Sequence, residues 1–129
     1  MEALGFKRVL IVEDEPMIAM LLEDMIDEMG AEVAGVASSL DEAQCAALGS
    51  DVDVAVLDIN LRGQMSYPAA QTLSDRGIPF IFVTGFARDA IPPTLGHVPV
   101  LPKPYCLADI AFGLTRALTA PNRARQAVS

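Results

Sequence analysis

Two apolar periods alternate along this chain. Short runs rich in β-branched residues are followed by stretches with an apolar position every three or four residues. The run Val9-Leu10-Ile11-Val12 reads as a buried strand and stops at Glu13-Asp14-Glu15-Pro16. Asp14 is a candidate cap for the helix that follows, and Pro16 suits its first turn. Ile18, Leu21, Leu22, Met25, Ile26 and Met29 then keep helical spacing until Gly30. Residues 32–36 are a second, weaker strand containing Ala34 and Gly35. Ser38 or Ser39 caps a helix running to Leu48. Residues 52–57 form a third strand that runs into Asp58. A polar loop over 60–66 precedes a helix over 67–75, which Gly77 closes. Residues 80–83 are a fourth strand, wholly apolar, ending at Thr84-Gly85. Residues 87–91 allow one helical turn before Pro92-Pro93 stops it. Residues 98–101 are a short fifth strand ending in Pro102-Lys103-Pro104. Leu107, Ile110, Ala111, Leu114 and Leu118 define a last amphipathic helix, which Pro121 ends.

Strands alternating with helices predict an α/β domain with a parallel sheet covered on both faces. In such open sheets, binding sites form outside the carboxyl ends of the strands. The residues there are Glu13 and Asp14 after the first strand, Asp58 after the third, Thr84 after the fourth and Lys103 after the fifth. Read singly, each has a plain structural use. Asp58 and Thr84 suit turns, Lys103 suits a surface, and Glu13 and Asp14 suit a helix N-terminus. Together they place three acids, a hydroxyl and an amine at one edge of one sheet.

The 129 residues suffice for one domain, and an apolar share of 52% with 20% charged residues is that of a globular chain. A net charge of −8 argues against a nucleic-acid or anionic-membrane partner, either of which wants a basic stripe. Cys45 and Cys106 are far apart, so neither a zinc site nor a disulfide framework is suggested. No apolar run approaches the ~18–20 residues of a membrane span, and residues 1–8 do not read as a secretion signal. The expectation is a reducing, cytoplasmic setting. His97 stands alone, and Met17, Met20, Met25 and Met29 read mainly as core filling. Small residues Ala108, Ala111 and Gly113 in the last helix read as core packing.

Clustered carboxylates repel unless a cation joins them. Carboxylate, backbone carbonyl and water are the ligands of Mg²⁺ or Mn²⁺. With such an ion bound, an acidic pocket accepts a phosphoryl group. Asp58 then suits a nucleophile forming an aspartyl phosphate, with Lys103 and Thr84 on the phosphoryl oxygens.

From near residue 6 to near residue 119 the chain resembles a response-regulator receiver domain. The matching positions are Glu13-Asp14, Asp58 within Leu57-Asp58-Ile59-Asn60-Leu61, Thr84, and Lys103-Pro104. The resemblance implies a flavodoxin-like (βα)5 doubly wound parallel sheet of strand order 2-1-3-4-5. It implies Asp58 as phosphoacceptor, with Mg²⁺ held by Glu13, Asp14, Asp58 and the backbone carbonyl of Asn60. It also implies Thr84 and Lys103 as sensors of the phosphoryl group, and a cis Lys103–Pro104 peptide. Ordinary receivers carry an aromatic three residues before the lysine, where this chain has Val100, and Pro92, Pro93 and Gly96 predict a short or irregular fourth helix. The run Phe80-Ile81-Phe82-Val83-Thr84-Gly85-Phe86 resembles the "FAT GUY" receivers of alphaproteobacteria, which lack that aromatic. In it Val83 replaces Ala and the terminal Tyr is absent. That resemblance implies an HWE-type histidine kinase as donor and a place in general stress signalling.

The expectation is a receiver domain over residues 1–121 with a flexible tail over 122–129. It is a single-domain response regulator, not an enzyme beyond its own phosphorylation and dephosphorylation. It signals by contact with an unidentified downstream protein or drains phosphoryl groups, as a monomer or a phosphorylation-dependent dimer. Residues 86–99 are expected to order on phosphorylation. The main rival is a pseudo-receiver that binds partners without being phosphorylated. An enzyme on a similar sheet fits less well. A flavodoxin needs a Ser/Thr/Gly phosphate loop where Glu13-Asp14-Glu15 stands. A haloacid-dehalogenase-type phosphatase wants Asp where Asn60 stands. A P-loop NTPase needs a glycine-rich lysine motif that is absent.

Overall fold

Four parallel strand pairings set the architecture of the computed structural model, which describes residues 4–49, 51–85 and 91–120. In chain order the elements are β1 (Arg8–Val12), α1 (Pro16–Glu28), β2 (Glu32–Ala37), α2 (Leu40–Ala47), β3 (Val54–Asp58), β4 (Asn60–Leu61), β5 (Gln64–Met65), α3 (Tyr67–Asp75), β6 (Phe80–Thr84), β7 (Val100–Pro102) and α4 (Leu107–Thr119). The main sheet runs β2-β1-β3-β6-β7 and is parallel throughout. Without the small β4–β5 hairpin this is the 2-1-3-4-5 order of a flavodoxin-like sheet.

The strands are buried on both faces, which is why they read as continuous apolar runs. Alternate side chains enter opposite cores. Leu10, Val12, Ala55, Leu57, Phe80 and Phe82 face α2 and α3. Val9, Ile11, Val54, Val56, Ile81 and Val83 face α1 and α4. Phe82 sits edge-on to both Phe80 and Tyr67, with ring centroids 5.5 and 5.9 Å away. Gly30 at φ +82° and Gly77 at φ +73° turn the chain out of α1 and α3 in a conformation that disfavours other side chains.

Several local expectations are corrected. Asp14 does not cap α1. The N-cap is Glu15, with no side-chain bond of its own, and Glu13 Oε1 instead accepts from the Glu15 amide at 3.1 Å. Ser39 caps α2 by accepting from the Glu42 amide. The loop over 60–66 contains the β4–β5 hairpin, turned by Arg62 and Gly63, both at positive φ. The fifth strand starts at Val100, because Val98 belongs to the α2–α3 core after a 3-10 turn at Pro93–Leu95. That turn is the only helix described between β6 and β7. The helical turn expected over 87–91 lies outside the described residues except for Ile91, as does the tail over 122–129. Met17, Met20 and Leu21 are exposed, since the stripe of α1 that meets the sheet is Ala19, Leu22, Ile26 and Met29. His97 is exposed.

Ala111 and Gly113 of α4 are buried against the sheet, as core packing requires, whereas Ala108 is exposed. A Cβ on Gly113 would lie 3.2 Å from Ile81 Cδ1 and 3.3 Å from Leu101 Cδ1. Gly113→Val is therefore expected to push α4 off the sheet and to lower stability by about 1–3 kcal/mol, read from urea unfolding. An unchanged midpoint would mean that this approach is not what sets the helix position.

Candidate functional site

The carboxyl ends of β1, β3, β6 and β7 meet at one edge of the sheet, and backbone bonds carry the ladder slightly past each of them. The Glu13 amide donates to Ala37 O at 2.9 Å, that of Ile59 to Val83 O at 3.1 Å, and that of Lys103 to Thr84 O at 2.7 Å. Residues just beyond the strands are thus held almost as firmly as those within them. Glu13, Asp58 and Thr84 are buried there, and Asp14 and Lys103 are half-buried.

Carboxylate oxygens of Glu13, Asp14 and Asp58 lie within 4.8 Å of one another. Two unit charges at such a distance repel by roughly 3–4 kcal/mol at an effective dielectric near 20. Lys103 offsets part of this. Its Nζ lies 2.9 Å from Asp58 Oδ2 and 3.4 Å from Glu13 Oε2. Burial pulls the Lys103 ammonium down. The hydrogen bond and charge of Asp58, with the charge of Glu13, outweigh this and raise it above 10.5. Glu13 is less well served. Burial first, then the charge of Asp58, pushes it from 4.5 up to about 7, against the Glu15 amide and Lys103. Asp14 is met from the solvent side by Arg62, with Nε 3.5 Å from Oδ2.

Asp58 Oδ1 accepts from the Asn60 amide over a long 3.4 Å. The Asn60 side chain closes the hairpin, its Oδ1 accepting from the Gly63 amide at 2.6 Å. This leaves the β4 backbone beside Asp58. The Lys103–Pro104 peptide is cis. The predicted residues therefore gather: Glu13, Asp14, Asp58 and Lys103 touch or nearly touch, and Thr84 is tied to Lys103 through the backbone. Three carboxylates in this space with one ammonium are a donor set that fits a hard divalent cation such as Mg²⁺. Sequence reading does not single out Arg62 or Tyr105. Burial first, then the charge of Glu13, pushes the Tyr105 phenol up to about 12. Its only signal in the sequence is an aromatic two residues after Lys103.

Residues 9–110 match the family model described as the response regulator receiver domain. This chain belongs to the response regulator receiver family. Receiver domains work with histidine kinases and downstream partners in two-component signalling. Among solved structures, SdrG of Sphingomonas melonis Fr1 is similar with a TM-score of 0.78 and 38% identity, covering 92% of this chain and all of that one. The transcriptional regulatory protein PdtaR of Mycobacterium tuberculosis is 32% identical over 122 residues, 88% of this chain and 57% of PdtaR. The phyllosphere-induced regulator PhyR of Methylorubrum extorquens is 30% identical over 125 residues, 92% of this chain and 46% of PhyR. The receiver thus spans about half the length of these curated relatives. No helix among the described residues is long and apolar enough to cross a membrane.

The raised Glu13 predicts a pH dependence for the metal-free receiver. Between pH 4.5 and about 7 the folded protein keeps a proton on Glu13 that the unfolded chain has released. The folded state binds more protons, so stability falls as pH rises through this window. Urea unfolding in a chelator, below and above the window, is expected to show that fall, and Glu13→Gln is expected to flatten it. Equal slopes in the two proteins would remove Glu13 as the cause.

Proposed function

We propose that this receiver accepts a phosphoryl group on Asp58 from a phosphohistidine of a histidine kinase, in a Mg²⁺-dependent reaction. The observation that carries this reading is the Lys103 ammonium 2.9 Å from Asp58, beside three carboxylates that lie within 4.8 Å of one another. A carboxylate nucleophile with a fixed cation beside it is what phosphoryl transfer to an acid requires. An Asp58 oxygen attacks phosphorus, and the P–O bond forms as the P–N bond breaks. The imidazole leaves with the electron pair and is protonated. The Asn60 amide on Oδ1 orients the carboxylate. Lys103 turns from the carboxylate to a phosphoryl oxygen, and the Thr84 hydroxyl donates to another. Glu13, Asp14, Asp58 and the Asn60 carbonyl would hold Mg²⁺, which would supply positive charge to offset that of the phosphoryl group. Mn²⁺, with the same ligand preference, substitutes for it.

The chain catalyses no reaction other than its own phosphorylation and dephosphorylation. The FAT GUY-like run at β6 supports an HWE-type kinase as donor and general stress signalling as the setting. Output is by contact with a downstream protein or by drainage of phosphoryl groups, in the cytoplasm. The state is monomeric before phosphorylation, and dimerisation, where it occurs, depends on it.

Incubation with a small phosphoryl donor is expected to add one phosphoryl mass to the intact protein with Mg²⁺ and none without it. Asp58→Asn is expected to abolish the adduct. Mg²⁺ at a hundred times its Kd is expected to stabilise the fold by about 2.7 kcal/mol in urea unfolding. Absence of both the adduct and the stabilisation would favour an unphosphorylated pseudo-receiver.

A further inference from the structure

Arg62 and Gly63 form the two-residue turn between β4 and β5, at φ +53° and +91°. A turn with both residues at positive φ takes Gly, Asn or Asp most readily, because other side chains are strained there. Arginine at its first position is therefore not explained by the turn. What it adds is a guanidinium laid across Asp14. Arg62 Nε lies 3.5 Å from Asp14 Oδ2, and Nη2 donates to the Asp14 backbone oxygen at 3.4 Å. The two residues are 48 apart in sequence, so it is the hairpin that brings them together.

Asp14 is one of the three acids whose carboxylate oxygens lie within 4.8 Å of one another, and in the reading above it is a ligand of the cation. A guanidinium and a divalent cation are rivals for such a carboxylate. Charge sets them against each other as well. With Glu13, Asp14 and Asp58 ionised and Lys103 beside them, a divalent cation brings the pocket to neutrality. With Arg62 on Asp14 it leaves one positive charge in excess. The Arg62 pair is also the easier one to release. Both of its contacts are long and its side chain is 76% exposed, and pairs of that kind contribute little. Lys103 differs, being mostly buried and 2.9 Å from Asp58.

We propose that Arg62 competes with a divalent cation for Asp14 and so lowers the metal affinity of the site, leaving Asp14 when the cation binds. The proposal rests on the reading that this site takes Mg²⁺. One unit charge close to a solvent-facing divalent cation changes its affinity by about three- to tenfold.

Calorimetric Mg²⁺ titration of wild type, Arg62→Asn and Arg62→Gln tests this, with urea unfolding of each protein in a chelator. Asn removes the charge and suits the turn, so Arg62→Asn is expected to be at least as stable as wild type in the chelator. Gln removes the charge and leaves the turn as strained as before. Both variants are expected to bind Mg²⁺ about three- to tenfold more tightly than wild type. The gain is expected to shrink as KCl is raised, because an exposed guanidinium is screened by salt. Equal or weaker Mg²⁺ binding by the variants overturns the proposal and leaves the metal site standing. So does a gain confined to Arg62→Asn, which would belong to the turn, or a gain that salt leaves unchanged. If none of the three proteins binds Mg²⁺, the reading of the metal site falls with the proposal.

Discussion

Three carboxylates share a pocket with one ammonium, and much of this structure follows from that imbalance. The chain is acidic overall, yet among the described residues only this sheet edge gathers three carboxylates within 4.8 Å of one another. Burial and the charge of Asp58 hold Glu13 up near 7, which Lys103 at 3.4 Å only partly offsets, while the ammonium is held above its usual value. A site left short of positive charge has a standing affinity for a cation. A filled site of this kind has a standing affinity for a phosphoryl group. In the reading proposed above, metal binding and phosphoryl acceptance would be two consequences of one electrostatic deficit.

Such a cluster persists only because its members are not free to separate. Each is anchored by strand pairing immediately below it, with the amides of Glu13, Ile59 and Lys103 bonded to the neighbouring strand. The strands are anchored in turn by two apolar cores, one on each face. Burying both faces excludes water from beneath the site, which strengthens the repulsion among the acids and the attraction of Lys103 alike. The packing that stabilises the fold is therefore also what makes the site strongly electrostatic. The solvent side is looser. Asp14 meets Arg62, whose side chain is mostly exposed, and a pair of that kind contributes little to stability.

The departures from an ordinary receiver lie on the far side of Lys103 from the acids. Val100 stands on edge strand β7, partly exposed, where an aromatic would otherwise serve as a switch. Among the residues described between β6 and β7 there is one 3-10 turn. Tyr105, two residues beyond Lys103, packs inward against the core beneath α1 and α4.

The sequence by itself determined the strand–helix alternation, because runs such as Val9–Val12 and 80–83 bury on both faces and have no polar alternative. It also determined that Glu13, Asp14, Asp58, Thr84 and Lys103 stand at one sheet edge, since parallel strands bring all their carboxyl ends to the same side. Their roles became legible through the resemblance of the motif, not through spacing. Other features depended on contacts between distant residues. Which of Glu13 and Asp14 tends the α1 terminus was decided by burial: Glu13 turns inward and takes the Glu15 amide, leaving Asp14 to meet Arg62. The apolar count of α1 overstated its buried face, because only the arc from Ala19 to Met29 meets the sheet. The 60–65 hairpin rests on a two-residue pairing too short to leave a periodic signal. Tyr105 carries no pattern of its own. Its buried, unpaired hydroxyl exists only once β7 and α4 are packed against the sheet.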